Sequence, residues 1–327
     1  MGALLNRRRK ETARRIQELR KKLTEAEARC EGKACVYATG SYGRGEASQH
    51  SDLDLFIVGH GTVKNPALRG LDEILIKADL IDVTRQLNIR DFSGDGEYLK
   101  HYPIKKLVGH LGTPRDDVEN TFTARLLLLL ESSPLLGESA YRQITDEVIE
   151  AYWKDYAQNK NNYMPAFLAN DILRMWRTFC VNYEARTHSE PAEEMAKKRL
   201  KNYKLKHSRL LTCYSALLYL LAVYTKNETV GPTDAKNMVS LTPTQRLGWL
   251  LKQDHCEKAH EAIRKLITKY ESFLSKTDAP EKDLIDLFKD KEKRTKHFGP
   301  KYEFGNSVSE VLQIIGDDSL FYRLLVV

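Results

Sequence analysis

Hydrophobic and polar positions divide the chain into an N-terminal part of mixed pattern and a C-terminal part with a helical period. Short runs typical of strands cover residues 35–38 and 51–58, the second of which carries Asp52 and Asp54, and a glycine-rich loop separates them. A third apolar run, Leu80–Thr84, predicts another strand. From Asp116 onward apolar residues recur with a period near 3.6, which predicts successive helices. The pattern therefore predicts an α+β fold, with the sheet in the N-terminal part.

The same pattern predicts three segments. Residues 1–30 form an N-terminal helix whose apolar stripe, including Leu19 and Leu23, packs on the next segment. Residues 31–115 form the catalytic core, and residues 116–327 form a helical domain with an apolar C-terminal tail. We expect that tail to pack on the core or on a neighbouring subunit, because an exposed apolar tail would be adhesive. The helical predictions are residues 121–131, 138–156, 164–185, 242–251, 255–274 and 283–291, with 225–240 as a polar loop.

The glycine-rich loop Gly40–Gly45 is followed by a pair of carboxylates, Asp52 and Asp54. Residues i and i+2 of a strand project from one face, so we expect these carboxylates to lie side by side. Two adjacent carboxylates repel unless a cation lies between them, and Mg2+ prefers oxygen ligands completed by substrate phosphates. Gly40 allows the backbone to approach a triphosphate, and the Ser41 hydroxyl can donate to a phosphate oxygen. These residues indicate metal-assisted phosphoryl or nucleotidyl transfer.

The order Gly-Ser, ten residues, Asp-x-Asp resembles the signature of the DNA polymerase β nucleotidyltransferase superfamily. The resemblance implies a polymerase-β-like core, a mixed sheet with helices. It also implies a third carboxylate on a later strand. Asp82 is the candidate for that position, and Asp79 is its competitor. Catalysis and metal binding are thus predicted for Asp52, Asp54 and Asp82, which would hold two Mg2+ ions, with Mn2+ as a substitute.

A second cluster of positive charge covers residues 197–209 and leads into an apolar helix. We interpret it as a helix entrance whose cations contact the substrate phosphates, where negative charge grows during transfer. For Arg174 two alternatives stay open, a phosphate contact and an intrahelical pair with Asp171. The predicted nucleotide contacts are Gly40, Ser41 and Arg44 in the loop and Lys201, Lys204, Lys206 and Arg209 in the basic cluster.

Composition and charge fit this interpretation. The 327 residues are 42% hydrophobic and 30% charged, with a net charge of +7 that favours polyanionic ligands. Five cysteines without metal-binding spacing predict a reducing environment. Arginines follow the first few residues in place of a long apolar core, and the apolar run 210–223 is short for a membrane span. We therefore expect a cytoplasmic protein that does not insert into membranes.

The longer pattern, a Gly-Ser-Tyr-Gly-Arg-Gly loop joined to a helical region with a basic cluster, resembles the GlnD-like, DUF294-type nucleotidyltransferases of bacteria. Relatives with this layout include Hailong-type enzymes of anti-phage defence. The resemblance implies an NTP or dNTP substrate and template-independent synthesis of a short oligonucleotide or nucleotide signal. Single-stranded nucleic acid as product, an effector protein as partner and a homo-oligomer are compatible with it. The alternatives are nucleotidylation of a protein hydroxyl and a catalytically inactive nucleotide-binding scaffold.

Overall fold

The computed structural model describes residues 2–92, 96, 99–184, 191–299, 302–317 and 319–326. Its strands are β1 (Ala34–Ala38), β2 (Leu55–Gly59), β3 (His101–Pro103) and β4 (Ser133–Leu136). The first helices are α1 (Ala3–Lys22), α2 (Thr24–Cys30), α3 (Gly40–Gly43), α4 (Gly70–Gln86), α5 (Ile104–Gly109), α6 (Arg115–Val118), α7 (Thr121–Leu130), α8 (Glu138–Tyr152) and α9 (Ala166–Glu184). The remaining helices are α10 (Ala192–Lys204), α11 (Leu210–Asn227), α12 (Pro232–Val239), α13 (Pro243–Leu250), α14 (His260–Lys276), α15 (Glu281–Lys289), α16 (Lys291–Phe298), α17 (Glu303–Gly316) and α18 (Leu320–Val326).

The contacts divide the chain into two compact units. One unit is Asn6–Lys154 and contains the sheet, and the other is Asp155–Val327 together with Met1–Leu5. The first is called the sheet unit below and the second the helical unit. The α+β fold class is confirmed, since a mixed sheet with helices precedes a helical region.

The described residues form a four-stranded sheet in the order β3-β2-β1-β4. Strand β1 pairs antiparallel with both β2 and β4, and β2 pairs parallel with β3. The two central strands are buried along their whole length. Continuous apolar runs are typical of strands covered on both faces, which agrees with the central position of β1 and β2.

The N-terminal helix packs as predicted, although it breaks at Leu23 into α1 and α2. Leu19 and Leu23 are buried in the core of the sheet unit with apolar residues of β1, β2 and α4. The strand predicted over Leu80–Thr84 is wrong, because this stretch lies inside the 17-residue helix α4. Ile76, Leu80 and Val83 recur at helical spacing and enter the same core.

The prediction of an all-helical chain from residue 116 is also corrected. Strand β4 pairs with the edge of β1, with Val36 opposite Leu136 and Ala38 opposite Ser133. The sheet therefore uses residues beyond the core boundary predicted at 115. Helix α7 ends at Leu130, close to the predicted end, and the chain continues directly into β4.

The helical unit is built around one long helix. Helices α10 and α11 are joined by a π-helical turn, Leu205–Arg209, so that helical structure runs without a break from Ala192 to Asn227. This helix is long and apolar enough to cross a membrane, but 72% of its apolar window is buried inside the protein, as in a core helix of a globular fold. Helices α9, α13 and α17 pack against α11.

Most helices predicted in this unit are present. The predicted end of α9 at residue 185 lies outside the described residues. Residues 225–240, predicted as a loop, contain helix α12, whose Pro232 occupies the first turn. The apolar C-terminal segment packs on its own unit, since α17 contacts α11 and α14 and Phe321 of α18 is fully buried.

Candidate nucleotidyltransferase site

The register of the sheet brings the two halves of the motif together. Strands β1 and β2 pair from Ala34 opposite Gly59 to Ala38 opposite Leu55. The backbone N–H of Thr39 donates to the carbonyl of Asp54 at 2.9 Å, which extends the pairing by one residue. Asp54 is therefore held beside the first residue of the glycine-rich loop.

The two carboxylates of the motif lie immediately before β2, where we had predicted them inside the strand. Their alternation is nevertheless that of extended chain: Asp52 is exposed, Leu53 is buried and Asp54 is half-buried. Leu53 anchors the segment in the core of the sheet unit. A buried residue between two polar ones directs Asp52 and Asp54 away from the core.

Gly40 is required at the start of the loop by its backbone and by its neighbour. Its φ is +63°, in the left-handed region that side chains disfavour. A Cβ added there would lie 3.0 Å from Oδ2 of Asp54. The Asp54 carboxylate therefore lies directly against the Gly40 backbone.

Ser41 follows Gly40 in the short helix α3. Its hydroxyl is buried and has no hydrogen-bond partner among the described residues. Buried hydroxyls are normally hydrogen-bonded, so an unpaired one directly after Gly40 indicates a polar ligand that the loop receives. The predictions for Gly40 and Ser41 as nucleotide contacts agree with this geometry.

Arg44 occupies a different environment from the one predicted. It is 8% exposed, and its guanidinium donates to Glu46 at 2.8 Å and to Glu131 at 2.9 Å. Both carboxylates are buried, so the charge of Arg44 is compensated inside the protein. We assign Arg44 to holding the loop in shape, and its predicted phosphate contact is not supported by this arrangement.

Glu131 is the residue that sequence reasoning missed. It lies after the last turn of α7, is 2% exposed, and accepts from the Gly40 amide at 3.2 Å as well as from Arg44. Its only sequence signal is a single charged residue that ends the run Leu126–Leu130. One buried carboxylate thus binds the first residue of the Gly40–Gly43 helix and Arg44, the residue that follows the helix.

A further anchor comes from helix α1. The Thr12 hydroxyl accepts the backbone N–H of Ala47 at 2.9 Å and donates to the carbonyl of Arg8 at 2.8 Å. This contact ties the chain after the loop to the N-terminal helix. The loop is consequently held from α1, β1 and the end of α7.

The carboxylates of this site suit the expected metal, Mg2+. Asp52 and Asp54 fit a site for Mg2+ that substrate phosphates complete, because Mg2+ is commonly held by one or two carboxylates plus phosphate oxygens. Across the described residues no three His, Cys, Asp or Glu side chains are grouped as a metal site. Asp82 is exposed on helix α4, and Asp79 pairs with Arg29 at 2.6 Å. Asp82 is predicted as the third carboxylate ligand on a strand, but this stretch is part of helix α4. The structure therefore does not support Asp82 as a third ligand.

The predicted basic contacts all lie in the helical unit. Lys201 is exposed, while Lys204, Lys206 and Arg209 are half-buried. The prediction of a helix entrance is wrong, because the helix begins at Ala192 and these residues lie in its middle. Because these residues are not at a helix N-terminus, the helix dipole does not favour a phosphate beside them. Arg174 pairs with Asp171 at 3.5 Å, as one of the two alternatives proposed.

Comparison with known proteins supports the assignment of the motif. Residues 16–128 match the family model described as "Nucleotidyltransferase domain". No curated protein and no solved structure matches the chain in the corresponding searches. The matched segment contains the loop, both carboxylates and strands β1, β2 and β3.

Proposed function

We propose that this chain transfers a nucleoside monophosphate from an NTP or dNTP to a hydroxyl group. The observation that carries the proposal is the position of Asp54, held against Gly40 by the sheet register, in a loop whose next residue, Ser41, has a buried hydroxyl without a partner among the described residues. The nucleotidyltransferase domain matched at residues 16–128 supports the same reaction type.

The residues have separate tasks in this reaction. Gly40 leaves room for a phosphate to approach the backbone, and the Ser41 hydroxyl donates to a phosphate oxygen. Asp52 and Asp54 would hold the divalent cation, which neutralises phosphate charge and lowers the pKa of the acceptor hydroxyl when bound. The acceptor oxygen forms a bond to the α-phosphorus while the bond to the bridging oxygen breaks. Pyrophosphate leaves in line, and the acceptor proton passes to water.

For the product we propose a short oligonucleotide or nucleotide signal made without a template, in the setting of bacterial anti-phage defence. This part depends on the likeness of the motif to GlnD-like enzymes and on the net charge of +7, which favours a polyanionic product. Protein nucleotidylation is the alternative acceptor chemistry.

The test is incubation of the purified protein with each labelled NTP and dNTP in Mg2+ or Mn2+, resolved on a nucleic-acid gel and a protein gel. A ladder from one nucleotide is the expected result. A labelled protein band would replace the oligonucleotide by a protein acceptor. Absence of incorporation from every nucleotide with both ions would refute the transferase.

Variants connect the activity to the site. Asp52→Asn and Asp54→Asn should each reduce transfer by at least ~100-fold, because each removes charge stabilisation at the reacting phosphate. Asp82→Asn is the matched control, an exposed aspartate in the same unit that lies on helix α4. We expect it to retain activity, and a loss as large as that of Asp54→Asn would restore Asp82 as the third carboxylate.

A further inference from the structure

A cavity of about 310 Å3 lies within the helical unit, between the long helix and helices α15 and α16. Its volume is at the lower end of the range found for small-molecule sites, ~300–1,000 Å3. Its walls combine aromatic rings with cationic side chains. The residues that line it are Arg199, Asn202, Tyr203, Lys206, His207, Phe288, Arg294, Thr295, Phe298 and Gly299.

One side of the cavity is an aromatic cluster. The ring of Tyr203 lies 4.5 Å from that of Phe298 and 4.4 Å from that of His207, between centroids. Phe288 lies 4.8 Å from Phe298. Phe288 and Phe298 are themselves buried in a core cluster with Leu200, and Tyr203 packs partly exposed against that cluster. Tyr203 is therefore the ring that can receive a planar group, which would gain from stacking as well as from burial.

His207 presents a neutral ring to this cluster. Burial lowers the pKa of His207 to about 4, although its hydrogen bond to the carbonyl of Tyr203 at 2.8 Å acts in the opposite direction. A carbonyl oxygen only accepts, so Nδ1 carries the proton and Nε2 is left as an acceptor. The ring already stacks on Phe273 at 4.6 Å and on Phe304 at 4.8 Å between centroids, so what it offers a ligand is a hydrogen bond accepted at Nε2 without added charge at neutral pH.

The other side of the cavity is positively charged. Arg199, Lys206 and Arg294 are each half-buried, and the described lining includes neither Asp nor Glu. Within the described part of the chain, no carboxylate forms an ion pair with Arg199 or Arg294. Lys206 lies over the Tyr302 ring, 5.7 Å from its centroid, a contact that leaves its charge uncompensated.

The backbone places these groups on one face of the long helix. Arg199, Tyr203 and Lys206 follow the i, i+4, i+7 spacing of a helical stripe. Lys206 and His207 belong to the π-helical turn Leu205–Arg209. Turns of the π-helical type are rare in proteins overall, but those that occur are often found at functional sites. They change which side chains face a neighbouring element.

We infer that this cavity is a nucleotide-binding pocket of the helical unit that works without a divalent cation. The partly exposed ring of Tyr203 receives the base, and Arg199, Lys206 and Arg294 receive the phosphate. Three cations without a carboxylate partner among the described residues lie beside an aromatic ring, and together they match a ligand that joins a planar ring to an anion. The inference does not rest on the transfer reaction, because all the lining residues belong to the helical unit.

The test is isothermal titration calorimetry of the full chain in EDTA with each NTP, dNTP and nucleoside monophosphate. We expect at least one of them to bind with one site per chain. Lys206→Ala and Arg294→Ala should each weaken binding by ~10-fold or more, the usual effect of losing one charge-assisted hydrogen bond. Lys296→Ala is the matched control, an exposed cation on helix α16 outside the lining, and should leave binding unchanged.

Two further measurements separate this pocket from the transfer site. Inorganic triphosphate should bind at least ~10-fold more weakly than the nucleotide, because it has no base to stack. Asp54→Asn should abolish transfer and keep the binding measured in EDTA. Lys206→Gln and Arg294→Gln, which remove the charge but keep a polar side chain longer than that of alanine, repeat the test if an alanine variant unfolds on circular dichroism.

The inference is overturned if no nucleotide binds in EDTA, or if folded Lys206 and Arg294 variants bind as tightly as the unchanged protein. Inorganic triphosphate that binds as well as the nucleotide would also overturn it. Loss of binding in Asp54→Asn would show that the nucleotide measured by calorimetry binds to the sheet unit and not to this pocket. None of these results depends on whether the protein incorporates labelled nucleotide.

Discussion

Replacement of Gly40 by alanine tests how closely the loop and Asp54 depend on each other. Gly40 has φ +63°, and the new Cβ would lie 3.0 Å from Oδ2 of Asp54. The left-handed backbone costs a residue with a Cβ about 1–2 kcal/mol. The contact falls on the end of a side chain, so the Asp54 carboxylate must move by a few tenths of an ångström. Gly40→Ala therefore combines a modest loss of stability with displacement of the carboxylate that we propose to be catalytic.

Gly32 provides a matched control in the same unit. Its φ is +65°, and an added Cβ would meet no heavy atom within 4 Å. Gly32→Ala thus carries the same backbone strain without the contact. Each variant should lose about 1–2 kcal/mol of unfolding free energy, a lowering of Tm by a few degrees for a unit of this size.

The two variants should differ in catalysis. Gly40→Ala should lose ~100-fold or more in kcat/KM for nucleotide incorporation, because a small displacement of a reacting group has a large effect on rate. Gly32→Ala should keep the activity of the unchanged protein. Urea unfolding and steady-state incorporation on the same preparations give both quantities. Equal kcat/KM in the two variants would refute the reasoning that Asp54 must lie against Gly40.

Three further predictions concern stability. Gly43→Ala should destabilise the sheet unit by about 3 kcal/mol, because the new Cβ would lie 1.9 Å from the Glu131 carbonyl oxygen. That oxygen belongs to the backbone, so a change of side-chain rotamer cannot remove the clash. Urea unfolding measures the loss of stability. Glu131→Gln should also cost about 3 kcal/mol and reduce incorporation, because Arg44 loses a buried counter-charge. For His207 the folded pKa of about 4 lies below the ordinary 6.5, so the unfolded chain binds more protons between these values. Stability should fall as pH decreases from ~6.5 to ~4, by about 3 kcal/mol in total, and this part should vanish in His207→Phe.

Each of these predictions has a control. Gly70→Ala, where an added Cβ meets nothing within 4 Å, should be neutral or slightly stabilising. Glu138→Gln removes an exposed ion pair and should cost less than ~1 kcal/mol. A Gly43→Ala protein as stable as Gly70→Ala would show that the loop adapts freely, and equal costs for the two glutamate variants would show that burial of Glu131 is unimportant. For His207, an unchanged pH dependence in the phenylalanine variant would contradict the burial argument.

The sequence determined the parts of this protein that depend on local chemistry. Three features could be recognised in the sequence: the glycine-rich loop, the pair Asp52 and Asp54, and the apolar strands around them. Turn conformation and the alternation of side chains along a strand each depend on only a few neighbouring residues. The periodic helices could be predicted for the same reason: α8 buries one continuous stripe, whereas α7 is apolar and buried on nearly all sides. These features were sufficient to predict the α+β class and the reaction type.

The tertiary structure decided what depends on partners distant in sequence. Leu80–Thr84 is too short to distinguish a strand from a helix, and only its packing with Ile76 on the core shows a helix. The pairing of β4 with β1 and the burial of Glu131 against Arg44 join residues about 90 to 100 positions apart, as the residue numbers show.

The basic cluster shows the same limit. Its charged residues are evident in the sequence. Which of them is exposed, as Lys201 is, and which lines a pocket, as Lys206 does, depends on helices α15 and α16, which follow some 80 residues later. Local preferences specify which groups a chain carries, whereas burial and register specify which of them meet. The physical reason is that side-chain contacts, desolvation and charge compensation are set by neighbours in space.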